Sequence, residues 1–395
     1  MKSYIFLFFL LLGTNIISAQ YTAIPDPVFE NYLENTGMGD GIPNNGLVLT
    51  ANINMVTTLD LPSFYGLTDL TGIEDFIALE FLDFSYNQVS SIDLSQNTVL
   101  SIVGCAFNNL TTLDLSNNTE LTWVVCMGNY LTNLELNSSY LHTIECYENQ
   151  ITNLDLSQCP SLTWLDCHSN QLTNLNITQC VILTDLIAWD NQLTSLDTSQ
   201  NIEMTKLNIG HNSLENLETS NNIQLNNLGC INNNLTSLIL TENIYLERLI
   251  AHSNSQLNYL DIRNDNNSSI IYFDTTLSNL DCIYVDDASA SFLEEWYKDD
   301  FTSFVNNEEE CEALRISTFT KNLVKIYPNP ATDFLVVSIK TEMDYKLFNM
   351  NGKIIKEGVF LMGLNTINVS NFNNGIYLMQ LQTEESSVTK KIIKK

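Results

Sequence analysis

One spacing dominates this chain. Nine successive segments begin at Leu79, Leu100, Leu121, Leu141, Leu162, Leu183, Met204, Leu225 and Leu246, and every step is 21 residues except a single step of 20. The shared pattern is LxxLxCxxNxLTxLDLSxNxx, shown by residues 162–182, LTWLDCHSNQLTNLNITQCVI, with Asn176, Ile177, Thr178 and Cys180 as departures in the second half. Such a period excludes a fold built around one closed core and requires a stack of like units. Each half-unit carries LxL or LxC, the period-2 alternation of a short strand with one buried face. One unit offers about six apolar side chains, each worth roughly 1.5–3 kcal/mol when buried. Ordering its backbone costs about 1–2 kcal/mol per residue. An isolated unit is therefore unstable, and stacking on its neighbours must supply the difference.

One asparagine recurs in every unit: Asn87, Asn108, Asn129, Asn149, Asn170, Asn191, Asn212, Asn233 and Asn254. Each lies three residues after the inward strand position, where the chain must turn and buried backbone groups need partners. An inward amide donates and accepts at once, so these side chains are expected to form a ladder along the stack. With this asparagine in place the repeats resemble the leucine-rich repeat family over roughly half the chain. The second half-unit carries a similar residue at Asn97, Asn118, Asn201, Asn222 and Asn243, replaced by Cys159 and Cys180 in two units. The expected fold class is mainly β: a leucine-rich repeat solenoid over 79–282 with a cap at each end.

The caps are read from local signals. Asp26-Pro27 is a helix N-cap followed by proline at the first helical position. Phe29 and Leu33 share one face of that helix and Gly37 can end it, so residues 20–78 read as an N-terminal cap with degenerate repeats. At the other end residues 283–314 read as a second cap, with Trp296 over the last coil. Residues 1–19 read as a secretory signal: Lys2, the apolar run Ile5–Leu12, and a small-residue cleavage site at Ile17-Ser18-Ala19. No later stretch is apolar and long enough for a transmembrane segment.

Charge divides the chain again. Residues 21–314 hold 4 Lys or Arg against 40 Asp or Glu, whereas 315–395 hold 11 against 6. The formal net charge of −30 disfavours nucleic acid and anionic membrane as partners. After the sign change the alternating runs 334–339, 345–350, 353–360, 365–370 and 375–381 follow, with Asn351-Gly352 as a hairpin turn. They predict a small β-sandwich over 315–395. Tyr327-Pro328-Asn329-Pro330, Asn351-Gly352-Lys353, Asn374-Gly375-Ile376-Tyr377 and the basic end 390–395 make this segment similar to the C-terminal sorting domain of the bacterial type IX secretion system. The resemblance implies a sorting motif that includes Tyr327, Pro328, Asn329, Pro330, Gly375 and Tyr377. It also implies contact with outer-membrane secretion machinery and delivery to the cell surface or medium.

Nine cysteines are present. Cys105, Cys126, Cys146, Cys167 and Cys230 occupy inward strand positions and read as small core residues. Cys282 and Cys311 bracket the presumed C-terminal cap, outside the repeat pattern, and are expected to pair. Export makes such a bridge permissible.

No nucleophile elbow, P-loop, HExxH or dinucleotide fingerprint occurs, and no cofactor signature. The histidines at 142, 168, 211 and 252 follow the solenoid period, so the chain does not read as an enzyme. Asp93, Asp114, Glu135 and Asp155 line up on the second half-unit. They read as a solvated face, with loose Ca²⁺ binding as the sharper alternative. The first half-unit differs. Its outward positions include Trp123, Val125 and Met127, then Glu145 and Tyr147, then Trp164, Asp166 and His168, then Ile187 and Trp189. Outward aromatics on adjacent coils have no core role, and exposed apolar patches mark interaction sites. The expectation is a monomeric, exported interaction protein that binds a protein partner through this face. A glycan is the alternative ligand.

Overall fold

A computed structural model describes residues 20–64, 66–314, 324–383 and 387–395. The leader expected at 1–19 lies outside them. Residues up to Leu280, together with Ser291–Asp299, form one compact unit; Asp281–Ala290 together with Asp300–Lys395 form another.

The first unit is a succession of coils, each laying one three-residue strand beside the last. Eleven strands make a single parallel sheet that runs from Thr58–Asp60 through Trp123–Val125, Thr143–Glu145 and Trp164–Asp166 to Tyr272–Asp274. The sheet therefore begins before Leu79 and ends after the ninth unit. The central residue of each strand pairs in register with its neighbour, as in Val124, Ile144, Leu165 and Leu186. All four are fully buried. The next inward position is filled by Cys105, Cys126, Cys146, Cys167 and Cys230, all buried free thiols. Burial pushes the Cys230 thiol up to about 12 and raises Cys126, Cys146 and Cys167 well above the usual range.

Each ladder asparagine closes a coil. Asn129 donates from Nδ2 to the Cys105 carbonyl at 2.9 Å and to Cys126 at 3.1 Å, and its Oδ1 accepts the Leu110 N–H at 3.0 Å. Asn149, Asn170, Asn191, Asn212 and Asn233 repeat the arrangement. Asn87, Asn108 and Asn254 extend it to both ends of the row. The residue just before the asparagine is left-handed in coil after coil. Tyr86, Phe107, Glu148, Ser169, Asp190, His211 and Asn232 have φ between 50° and 60°, and Gly128 has 65°. Gly128 announces that conformation most plainly, and Asp190, His211 and Asn232 are of types enriched there.

The opposite side of the coils is less regular. Thr112–Leu115 pairs with Asn133–Leu136, and Ser237–Ile239 with Tyr259–Asp261, but residues 154–156 and 175–177 have no strand assignment. A second asparagine ladder stands here. Asn222 and Asn243 each accept a threonine hydroxyl, from Thr198 at 2.7 Å and Thr219 at 2.9 Å. Where Leu94 or Ile177 replaces that threonine 24 residues back, the Oδ1 of Asn118 or Asn201 meets no donor among the described residues.

At the N-terminal end, helix Pro27–Asn35 is capped by Asp26, whose Oδ1 accepts from Val28 and Phe29. Its Oδ2 accepts from Thr68 and Asp69, which ties the helix to the first degenerate repeat. Phe29 stacks on Phe76 with ring centres 6.2 Å apart. At the far end Trp296 lies on Phe273 at 4.2 Å, after a short 3-10 turn, Ser291–Glu295.

In the second unit, strands Cys282–Tyr284 and Ser303–Val305 are parallel, and Cys282 and Cys311 are joined by a disulfide with Cα atoms 5.9 Å apart. Its C-terminal part has two antiparallel sheets of three and four strands. They enclose Leu335, Val337, Leu347, Met379 and Leu381, all fully buried, with Tyr345 stacked on Phe360 at 4.0 Å. The layout is that of a β-sandwich. Asn351-Gly352 turns the hairpin between Met343–Asn349 and Ile354–Phe360, with Gly352 at φ 78°.

Candidate binding face

The outward side of the eleven-stranded sheet collects the residues singled out by sequence. Successive strands are about 4.8 Å apart, so residues at equal positions form columns across the coils. One column holds Trp123, Thr143 and Trp164, paired in register. A second holds Val125, Glu145, Asp166 and Ile187. A third, just beyond the strands, holds Met127, Tyr147, His168 and Trp189.

The third column is a stack. Tyr147 and His168 lie 4.4 Å apart with 13° between planes, and His168 and Trp189 lie 4.4 Å apart with 12°. The repeat sets this spacing, because aromatic rings on adjacent coils fall close to their preferred separation. His168 is fixed further by Asp166, whose carboxylate contacts the ring Nδ1 at 2.5 Å. Glu145 accepts from the Trp123 indole at 3.2 Å. Burial, then the charges of Glu145, Asp166 and Glu148, raise the Tyr147 hydroxyl pKa above its ordinary value.

Between the first and third columns lies an open depression of about 740 Å³, lined by Trp123, Glu145, Tyr147, Trp164, Asp166 and His168 with Thr143 and Thr163. Six of the ten candidate residues thus converge. Val125, Met127, Ile187 and Trp189 lie on the same face outside that lining. Trp123 is 44% exposed, and the other nine are partly covered. Sequence reasoning missed a further aromatic row at the left-handed positions. Phe64, Tyr86 and Phe107 follow one another at 5.3 Å and 4.7 Å. Its signal was the identity of the residue before each ladder asparagine.

The acidic column on the other half of the coils has a local role. Asp93, Asp114 and Asp155 each accept the N–H of the serine two residues on, at 2.9 Å, which explains the recurring Asp-x-Ser. Those N–H bonds from Ser95 and Ser157 hold the Asp93 and Asp155 carboxyls below the usual range. Glu135 accepts instead from the Asn133 side chain. Among the described residues no group of three or more His, Cys, Asp or Glu could hold a metal ion.

In the C-terminal part, Asn329 stands between two cis prolyl bonds, Tyr327-Pro328 and Asn329-Pro330. Its side chain donates to the Lys391 carbonyl and accepts the Ile393 N–H, both at 2.8 Å. Ala331 continues the same edge by accepting from Lys395 and donating to Ile393. Gly375 and Tyr377 lie on the strand that pairs with this last one, at Lys394 and Ile392. The buried Tyr377 donates its hydroxyl to the Asn373 carbonyl at 2.9 Å.

Residues 325–395 match the family model described as a secretion system C-terminal sorting domain. This tail is a sorting domain. It marks the chain for export by the type IX secretion system to the cell surface or medium. Within the sorting domain, Asn329 of the Tyr-Pro-Asn-Pro segment bonds the edge strand Ser387–Lys394. Among the described residues no helix is long and apolar enough to cross a membrane.

The solenoid of the described residues has the leucine-rich repeat fold. The chain is similar to the functional domain of InlJ from Listeria monocytogenes, which includes a cysteine ladder. The TM-score is 0.50 and the identity 20%, over 96% of this chain and all of that one. It is also similar to the APL1 leucine-rich repeat domain, with TM-score 0.50 and 19% identity over 65% of this chain and 71% of that one. No curated protein matches in sequence.

Proposed function

We propose that this is a non-catalytic adhesion or adaptor protein that binds a protein partner through the aromatic face of its solenoid. The stacked column Tyr147–His168–Trp189 beside Trp123 and Trp164 carries the reading. The ten residues named for this face are its proposed contact set. In the same reading 1–19 is a leader, 20–78 and 283–314 are caps, 79–282 is the binding solenoid, and 315–395 is spent on export. The protein acts as a monomer.

Binding through such a face concentrates energy in a few aromatic anchors. Changing Trp164 and Trp189 to alanine should abolish partner capture from an outer-surface extract without lowering the circular-dichroism melting temperature. Unaltered capture would refute the assignment. A glycan array run beside the pull-down separates the second reading, in which the same rings stack on sugars. Sugar-dependent quenching of tryptophan fluorescence would favour it.

A further inference from the structure

The electrostatics of the depression point to a particular occupant. Glu145 and Asp166 sit directly opposite each other on paired strands. Like charges so placed are destabilising. The chain offsets them only in part: the Trp123 indole donates to Glu145 and the His168 ring contacts Asp166, while Lys206, whose amine lies over the Trp164 ring, is the sole Lys or Arg between residues 3 and 247. Aromatic rings flank this carboxylate pair on both sides, Trp123 and Trp164 on one and Tyr147 and His168 on the other. The side chain of Asp166 is only 13% exposed, so its charge is poorly screened by water.

A carboxylate pair set among aromatic rings favours an ammonium or guanidinium group, which carboxylates and aromatic rings both attract. Two of the solenoid's own cations lie over aromatic rings. Lys206, the first to appear, places Nζ 5.5 Å from the centre of the Trp164 ring. Arg248 places its guanidinium 4.4 Å from the Tyr272 ring on the same sheet face. A neutral sugar would leave the Glu145–Asp166 repulsion in place, whereas a cation removes it.

We infer that the depression between Trp123 and Trp164 receives a lysine or arginine side chain presented by a basic polypeptide partner. The inference rests on the proposed role of this face. Because the depression is open and continues into the strand face on either side, it suits an extended segment of a macromolecule better than a small free amine. The charge of the solenoid draws such a partner in: 40 acidic against 4 basic residues over 21–314.

The test uses the full-length secreted chain, with lysine and arginine oligopeptides as probes in calorimetric titration. Glutamate oligopeptides and a panel of neutral oligosaccharides serve as comparisons. The double variant Glu145→Gln/Asp166→Asn keeps the shape and both acceptor oxygens. It should weaken the basic peptides about tenfold or more. Removing the same charge from the other half of the coils, with Asp93→Asn/Asp155→Asn, should leave affinity within about twofold. Equal losses in the two double variants would reduce the effect to general charge and overturn the site. Binding of neutral sugars without binding of basic peptides would overturn it as well.

Trp123→Ala/Trp164→Ala separates the two levels of the argument. If it abolishes partner capture while Glu145→Gln/Asp166→Asn retains it in full, the face stands and the cationic occupant is wrong. If both retain capture, the face itself is wrong.

Discussion

The side-chain amide of Asn170 donates to the Cys146 carbonyl of the preceding coil at 3.0 Å, while its Oδ1 accepts the Ile151 N–H at 2.9 Å. A single residue thus satisfies a buried acceptor and a buried donor that no strand ladder reaches. Replacement by leucine keeps the volume and leaves both groups without partners. Each such group costs about 1–3 kcal/mol. Asn170→Leu should therefore destabilise the solenoid by about 2–4 kcal/mol in urea unfolding. A cost below about 1 kcal/mol would mean that the ladder is not what holds adjacent coils.

Gly128 and Phe107 are matched in another way. Gly128 is left-handed, and a Cβ built on it would lie 2.4 Å from the Phe107 ring. Gly128→Ala meets both obstacles and should cost about 2–3 kcal/mol. Phe107→Ala in that background removes the clash but not the backbone penalty. The double variant should recover part of the loss relative to additivity, and an additive cycle would exclude contact as the cause.

These two residues also mark where the sequence stops speaking. The period exposes every ladder asparagine because the same backbone problem recurs at the same place. Asp26-Pro27 and Asn351-Gly352 are legible because their geometry is local. The left-handed turn before each asparagine is less so, since residues as different as Tyr86, Glu148 and Asn232 occupy it and Gly128 reveals the strain most plainly. The coils at Thr58–Asp60 and Tyr272–Asp274 are legible only as a degenerate repeat and as part of the 79–282 solenoid, because their spacing departs from 21 residues. On the binding face the outward positions are legible from alternation. The stacking of Tyr147 on His168, and the convergence of Glu145 and Asp166, depend on in-register pairing that only the folded coils define. The partner of Asn329 lies more than sixty residues along the chain.

Acid should loosen the N-terminal cap. Burial of Asp26 opposes its ionisation, but the N–H and hydroxyl donors of Thr68 and the N–H groups of Phe29 and Val28 outweigh it, holding its pKa below the ordinary value. A carboxylate with a depressed folded-state pKa stabilises the fold above its unfolded pKa of about 3.9. That contribution is lost as pH falls through the folded value. Asp26→Asn presents an amide where Thr68 and Asp69 donate. The gap in urea midpoint between the native protein and Asp26→Asn should be widest near neutrality and shrink as pH is lowered below about 3.9. A gap independent of pH would assign the cap a purely steric role.

In the sorting domain the test falls on the last strand. Asn329 supplies one donor and one acceptor to the edge of Ser387–Lys394, at Lys391 and Ile393. An uncovered strand edge is a template for unwanted pairing. Asn329→Ala leaves this edge of the four-stranded sheet without its clasp, while the buried core of Leu335, Leu347 and Met379 is untouched. Hydrogen exchange at the Ile393 amide should speed up by about five- to tenfold, since one hydrogen bond of roughly 1–1.5 kcal/mol is lost from an edge position. Amides of the central strand Gly375–Gln382 should be unaffected. If export into the medium falls in step with Ile393 protection, a closed edge is part of what the secretion machinery requires. If Ile393 protection is unchanged, Asn329 does not hold the edge and its place in the motif has another cause.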